Sequence, residues 1–171
     1  MTKHIFETAP IGGLALKNRL VRASIWENMS APGGHPTDKM ISFYEELAAG
    51  GVGLIITGYI AVNKETGTDG ELSGIYNDAF IPEYRKLTDA VHAKGGMIAA
   101  QIVYRGSLAG GGGSVWGMSA VRHKISGVTP HEMTPDEINA LEDMFAAAAL
   151  RAKAAGFDAV ELHAAHGYFL S

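Results

Sequence analysis

Four short apolar runs rich in β-branched residues alternate along the chain with segments of helical spacing, and no other feature constrains the fold as strongly. A run bounded by turn residues and followed by a helix reads as a βα unit, and a series of such units builds a parallel sheet. The first run covers residues 20–25 and leads into a loop with Pro32-Gly33-Gly34. Thr37 and Asp38 open a helix whose apolar positions Met40, Ile41, Tyr44 and Leu47 recur three and four residues apart, and Gly50-Gly51 ends it. The second run, 53–58, is apolar enough throughout to be covered on both faces. After a long loop over 63–78, a second helix is expected from about 81 to 94, with Pro82 near its start and Gly95-Gly96 as its stop. The third run is 97–103. The loop after it is nearly thirty residues long, a length that is usually functional or disordered. Its Gly110-Gly111-Gly112-Gly113-Ser114 stretch has the composition of a flexible linker, either inserted or, by preference, part of a natural mobile loop. Thr134-Pro135-Asp136-Glu137 combines a cap, a proline in the first turn and a capping box. That third helix ends at Gly156, and residues 157–163 form the fourth run.

Right-handed crossovers lay such strands side by side in sequence order. The expected fold class is therefore α/β: the N-terminal half, about four βα units, of a TIM (β/α)8 barrel, with residues 1–171 as a single partial barrel domain lacking the remaining strands. A small open doubly wound sheet is the rival, but no Gly-x-Gly-x-x-Gly follows the first strand. Lys+Arg 14 against Asp+Glu 18, a net charge of -4, leaves no basic footprint for nucleic acid. The absence of Cys rules out a disulfide framework and Cys-based zinc sites and fits a cytoplasmic location. The longest apolar stretch, around 50–62, is broken by Gly, Thr and Tyr and falls short of the ~18 residues of a membrane helix, and the start of the chain lacks the pattern of a signal peptide.

Residues able to do chemistry cluster at the C-terminal ends of the runs, the face on which parallel barrels carry their active sites. They are Ser24 and Trp26 after the first, Thr57 and Gly58 at the second, Gln101 in the third, and Glu161, His163 and His166 in and after the fourth. In His163-Ala164-Ala165-His166-Gly167-Tyr168, two imidazoles three residues apart can converge on one anionic group, with the phenol nearby as a proton donor. His163 alone could equally be a strand-end histidine satisfied by backbone. Glu161, His163 and His166 are acceptable zinc ligands, so a metal-dependent barrel hydrolase is an alternative, although the spacing suits metal poorly. The Gln101 amide can donate and accept at once, matching a heterocycle edge such as a flavin pyrimidine, or it can bond neighbouring backbone. Gly58 permits close approach of a flat ligand or simply ends a strand. Trp26 could stack on a ligand or belong to the core.

At these residues the sequence resembles the old yellow enzyme family of FMN-dependent NAD(P)H oxidoreductases and ene-reductases. Four stretches carry the resemblance: Leu16-Lys17-Asn18-Arg19, Gly51-Val52-Gly53-Leu54-Ile55, Pro130-His131-Glu132-Met133-Thr134, and Ala155-Gly156-Phe157-Asp158 running on to the 163–168 motif. The resemblance covers essentially the whole chain but only the N-terminal half of a family member. It implies that FMN lies against Ser24, Ile25, Trp26, the backbone near Gly58, and Gln101. It implies that His163 and His166 bind the substrate's electron-withdrawing oxygen and that Tyr168 matches the proton donor, with no metal. NADH or NADPH would be the reductant and an activated alkene or similar small molecule the electron acceptor. Where many members carry Pro-x-Thr or Pro-x-Cys, this chain has Ser24-Ile25-Trp26, and where Gln-Leu-x-His-x-Gly-Arg is common at the third strand it has Gln101-Ile102-Val103-Tyr104-Arg105-Gly106-Ser107, with Tyr104 and Ser107 in place of the His and Arg. The chain does not reach the strands whose loops grip phosphate in such barrels. Association with a second copy or with a complementing C-terminal half is therefore expected, and an inactive self-associating half-barrel is the other alternative.

Overall fold

The computed structural model describes residues 4–65, 72–108 and 115–171, so the linker reading of Gly110 to Ser114 and part of the 63–78 loop lie outside the described residues. In chain order the elements are β1 (Ala9–Ile11), β2 (Leu14–Leu16), β3 (Val21–Arg22), α1 (Asp38–Ala49), β4 (Leu54–Ile56), β5 (Ile60–Ala61) and β6 (Ser73–Gly74). They continue with α2 (Phe80–Ala93), β7 (Ile98–Val103), a 3-10 turn at Gly106–Leu108, β8 (Trp116–Gly117), β9 (His131–Glu132), α3 (Pro135–Ala154) and β10 (Ala159–Leu162). Strands β3, β4, β7 and β10 pair in parallel and in sequence order, as expected of consecutive βα units.

The helices begin where the sequence places them. Thr37 Oγ1 accepts from the Met40 N–H at 3.2 Å, and Thr134 and Glu137 form the reciprocal capping box with Pro135 in the first turn. The paired strands are shorter than their apolar runs, most of all the first. Only Val21 and Arg22 of the first run pair, so Ser24, Ile25 and Trp26 ride on a loop at the sheet's edge, and the fourth strand occupies Ala159–Leu162.

Period-two alternation divides the sheet into two faces. Ile55, Ile98, Ala100 and Ile102 turn outward and join Tyr44, Leu87, Val91 and Ala148 from the helices in the main core. Leu54 and Ala99 turn inward and pack with Leu16, flanked by Leu14, Ile56 and Ala159, in a smaller cluster. The β1–β2 hairpin, absent from the sequence reading, thus seals the N-terminal end of the barrel interior. Its tight connection is Gly12-Gly13, and Gly12 has φ 56°, a left-handed conformation that suits glycine.

Three stretches that carry the resemblance clamp this end. Asn18 Nδ2 donates to the Gly51 carbonyl at 2.7 Å while its Oδ1 accepts from the Leu20 N–H at 3.0 Å. At the start of β10, Asp158 Oδ2 accepts from the Ile98 N–H at 2.8 Å and sets the β7–β10 register.

The expectation that the second strand simply ends at Gly58 is corrected by the structure. Ile56 lies opposite Ala99 on β7 and Ile60 opposite Ile102, so one extra residue is accommodated and the strand resumes as β5 after a bulge. The bulge removes a backbone acceptor from the ladder, and Thr57 Oγ1 replaces it by accepting from the Gln101 N–H at 3.1 Å. Thr57 is buried. Thr57→Val keeps the shape and strands that N–H, so it should destabilise the fold by about 1–3 kcal/mol, whereas Thr57→Ser should retain most of the stability. Urea unfolding of both variants decides this; a valine variant as stable as the native protein would show that the hydroxyl is dispensable.

Candidate active site

Above the apolar layer, the barrel interior turns polar. Ser24 Oγ donates to Gln101 Oε1 at 2.8 Å, and Gln101 Nε2 donates to Glu161 Oε1. Gln101 and Glu161 are direct register partners on β7 and β10, so both reach inward at the same height. One chain of hydrogen bonds therefore ties the β3 loop, the central strand and the last strand together. Gln101 is 7% exposed. It keeps a second N–H and a second oxygen lone pair beyond these two bonds.

The histidine motif sits at the rim. His163 follows β10 and is buried, and the chain then turns through His166 at φ 62° and Gly167 at φ 71°. A left-handed histidine costs roughly 1–2 kcal/mol relative to ordinary backbone. This turn folds His166 back, placing its Nδ1 3.2 Å from His163 Nε2. The Ala165 N–H approaches His163 Nδ1 at 3.4 Å. Which ring donates across this pair follows from the tautomers of the two imidazoles. The two imidazoles do come together, but each is engaged with the other, so an incoming oxygen must displace the contact between them. The Tyr168 ring lies 4.7 Å from His163 and 6.1 Å from His166, centroid to centroid.

Tyr59, which none of the strand-end candidates included, is carried into this group by the bulge. Its ring meets Trp26 at 5.9 Å, His163 at 6.1 Å and Tyr168 at 6.0 Å. An aromatic residue directly after Thr57-Gly58 was the available signal. Ile25 and Trp26 are 63% and 43% exposed, so neither is a core residue.

Gly58 has a local explanation of its own. A Cβ there would lie 2.1 Å from Glu27 Oε2, and the Gly58 N–H is given to the Tyr44 hydroxyl at 3.0 Å. Burial raises the Glu27 carboxyl above its ordinary value, opposed by backbone and Tyr44 hydrogen bonds and the Arg22 charge. Tyr104, likewise, braces the long loop. Its hydroxyl accepts from the Trp116 N–H at 3.1 Å, and burial raises the phenol to about 12. Within that loop, β8 and β9 pair in parallel, a feature absent from the sequence reading. Glu161 is bonded to Gln101, and among the described residues no three His, Cys, Asp or Glu side chains gather as a metal site.

This arrangement has relatives. The family model described as NADH:flavin oxidoreductase / NADH oxidase matches residues 4–171. A metal reductase of Desulforamulus reducens is 38% identical over 170 residues, covering 98% of this chain and 25% of that protein. An NADPH dehydrogenase of Bacillus velezensis is 35% identical over 175 residues, covering 99% of this chain and 51% of its own length. Among solved structures, the old yellow enzyme homologue from Zymomonas mobilis superposes with a TM-score of 0.85 at 29% identity, covering 98% of this chain and 50% of that one. The chain thus spans between a quarter and about half of the length of these relatives.

Burial, and secondarily the neighbouring His166, lowers the His163 pKa from its ordinary 6.5. A lowered value means that the folded site resists a proton the unfolded chain would accept. Stability should therefore fall as pH drops through 6.5 and stop falling below the folded value. NMR titration of imidazole carbons should place the His163 midpoint below 6.5 and move it upward in His166→Ala; a native midpoint at or above 6.5 would contradict the burial argument.

Proposed function

The chain belongs to the NADH:flavin oxidoreductase / NADH oxidase family, and we propose from this premise that it supplies one half of the active site of an FMN-dependent oxidoreductase. That enzyme takes hydride from NADH or NADPH and reduces an activated alkene or a similar small acceptor. The observation that carries the reading is a juxtaposition at the C-terminal end of the sheet. Gln101 has unspent donor and acceptor capacity, Ile25 and Trp26 offer exposed apolar surface, and the His163–His166 pair stands at the rim. A flat heterocycle with a polar edge needs those two kinds of surface together, so the residues present fit FMN.

In this reading Gln101 hydrogen-bonds the edge of the ring system, and Ser24, Ile25, Trp26 and the backbone near Gly58 border it. Bound there, FMN supplies the hydride chemistry between nicotinamide and acceptor. The chain's own residues polarise the acceptor. His163 and His166 turn their Nε2–H groups onto its oxygen, where negative charge grows, and pre-aimed donors are most effective against such charge in a site shielded from water. Burial keeps His163 neutral, so it donates a hydrogen bond and retains its proton. Tyr168, packed on His163, holds a proton at its hydroxyl for the carbon that becomes basic.

The 171 residues act as one partial barrel domain in the cytoplasm. No helix among the described residues is long and apolar enough to cross a membrane. On the outward-turned side of β10, Val160 and Leu162 are 37% and 56% exposed. Those apolar side chains favour cover from a complementing half barrel or a second copy.

Purified at full length, the protein should be yellow with FMN, bleach anaerobically with NADH or NADPH, and regain colour with an enone. His163→Ala and His166→Ala should each slow that reoxidation by roughly 10²–10³, the usual loss for one oxyanion donor, with little effect on bleaching. Colourless active protein holding stoichiometric zinc, or both variants reoxidising at the native rate, would overturn this reading.

A further inference from the structure

Gln101 is read above as the residue that meets the edge of the flavin, yet a primary amide is ambiguous. Rotated by half a turn, it exchanges its donor for its acceptor while occupying the same space. Something must decide which end faces which way. Ser24 cannot, because a hydroxyl both donates and accepts and will serve either orientation. Thr57 cannot either, since it bonds the backbone N–H of Gln101 and leaves the side chain alone. Glu161 is different: a carboxylate only accepts. Facing Gln101 in register, it requires the amide nitrogen on its own side, which sends Oε1 toward Ser24 and makes Ser24 the donor.

We infer that Glu161 is a positioning residue whose carboxylate fixes the donor–acceptor sense in which Gln101 presents its amide to the flavin. The inference rests on the FMN reading for its ligand but on this chain's own hydrogen bonds for its geometry. The motif explains the placement: Glu161 stands two residues before His163, so one strand both orients the amide and delivers the histidine to the rim. Gln101 is buried, and in such a site a reversed amide would set donor against donor at the ligand edge, which is costlier than a missing contact.

The test compares native protein with Glu161→Gln, Glu161→Asp, Gln101→Ala and the double variant Glu161→Gln/Gln101→Ala, all at full length. Without any flavin, the Gln101 side-chain NH2 signals of 15N-labelled native protein should be two well-separated resonances, one shifted by the carboxylate. That separation should collapse in Glu161→Gln and largely return in Glu161→Asp. With FMN as the probe, Glu161→Gln should bind about tenfold more weakly, the loss expected for one oriented hydrogen bond in a buried site, and its bound-flavin absorption bands should shift. In the Gln101→Ala background the same substitution should add nothing, because a residue acting through another loses its effect when that other is gone. Additive losses, or Gln101 signals indifferent to Glu161→Gln, would overturn the inference. Amide signals that respond as stated in native protein that binds no FMN would overturn the flavin reading and leave the Glu161–Gln101 orientation standing.

Discussion

Strand β7 is buried along its whole length, and every backbone polar group on it must find a partner away from water. That requirement organises the rest of the molecule. One edge is met by β10 over four consecutive residues. The other is met by β4 and β5, two pieces of one strand that fall out of step by a residue. The mismatch would orphan the Gln101 N–H, and Thr57 repairs it with its side chain. The repair has a further effect, because the extra residue at the bulge brings Tyr59 to the rim beside Trp26, His163 and Tyr168. A local fault in the ladder and the aromatic wall of the site are one feature.

Along the inward face the chemistry changes with height. Low in the barrel, Leu54, Ala99 and the hairpin residue Leu16 close a dry layer. Higher up, Ser24, Gln101 and Glu161 are polar, and polar side chains in such a place are tolerable only as a satisfied network. They satisfy one another in a line from the β3 loop across β7 and β10 while leaving Gln101 with capacity to spare. The rim above carries the histidine pair, held by a left-handed turn that the following glycine continues. Apolar floor, wired amide and histidine pair therefore stack in order along a single direction, toward the end of the sheet where parallel barrels bind ligands.

Legibility differed by element in ways the physics explains. Two of the three helices were readable because their caps are local: Thr37 and Thr134 bond to residues three positions on, within the span of the motif itself; α2 has no side-chain cap and was readable from Pro82 near its start and Gly95-Gly96 at its stop. The four main strands were readable from their apolar runs, although the runs extended past the paired residues. The β1–β2 hairpin went unread despite its Gly12-Gly13 turn, for three-residue strands show too little alternation to register. The β5 continuation was hidden because glycine after an apolar run resembles an ending. Gly58 is glycine for a reason invisible in the sequence, the Ile25 carbonyl 2.9 Å from where a Cβ would sit, with the Glu27 carboxyl folded against it as well.

Read alone, the chain specifies the alternation of strands and helices and the identity of the groups at the strand ends, since these follow from short-range periodicity and local caps, and right-handed crossovers then give the parallel order. The motif of His163, His166 and Tyr168 was likewise complete within six residues. How those groups are wired is set by the folded arrangement alone. Ser24 and Gln101 are 77 positions apart, and Gln101 and Glu161 are 60 apart. No local pattern encodes which of them bond. That was settled by strand register, a long-range consequence of burying β7 and finding partners for its backbone.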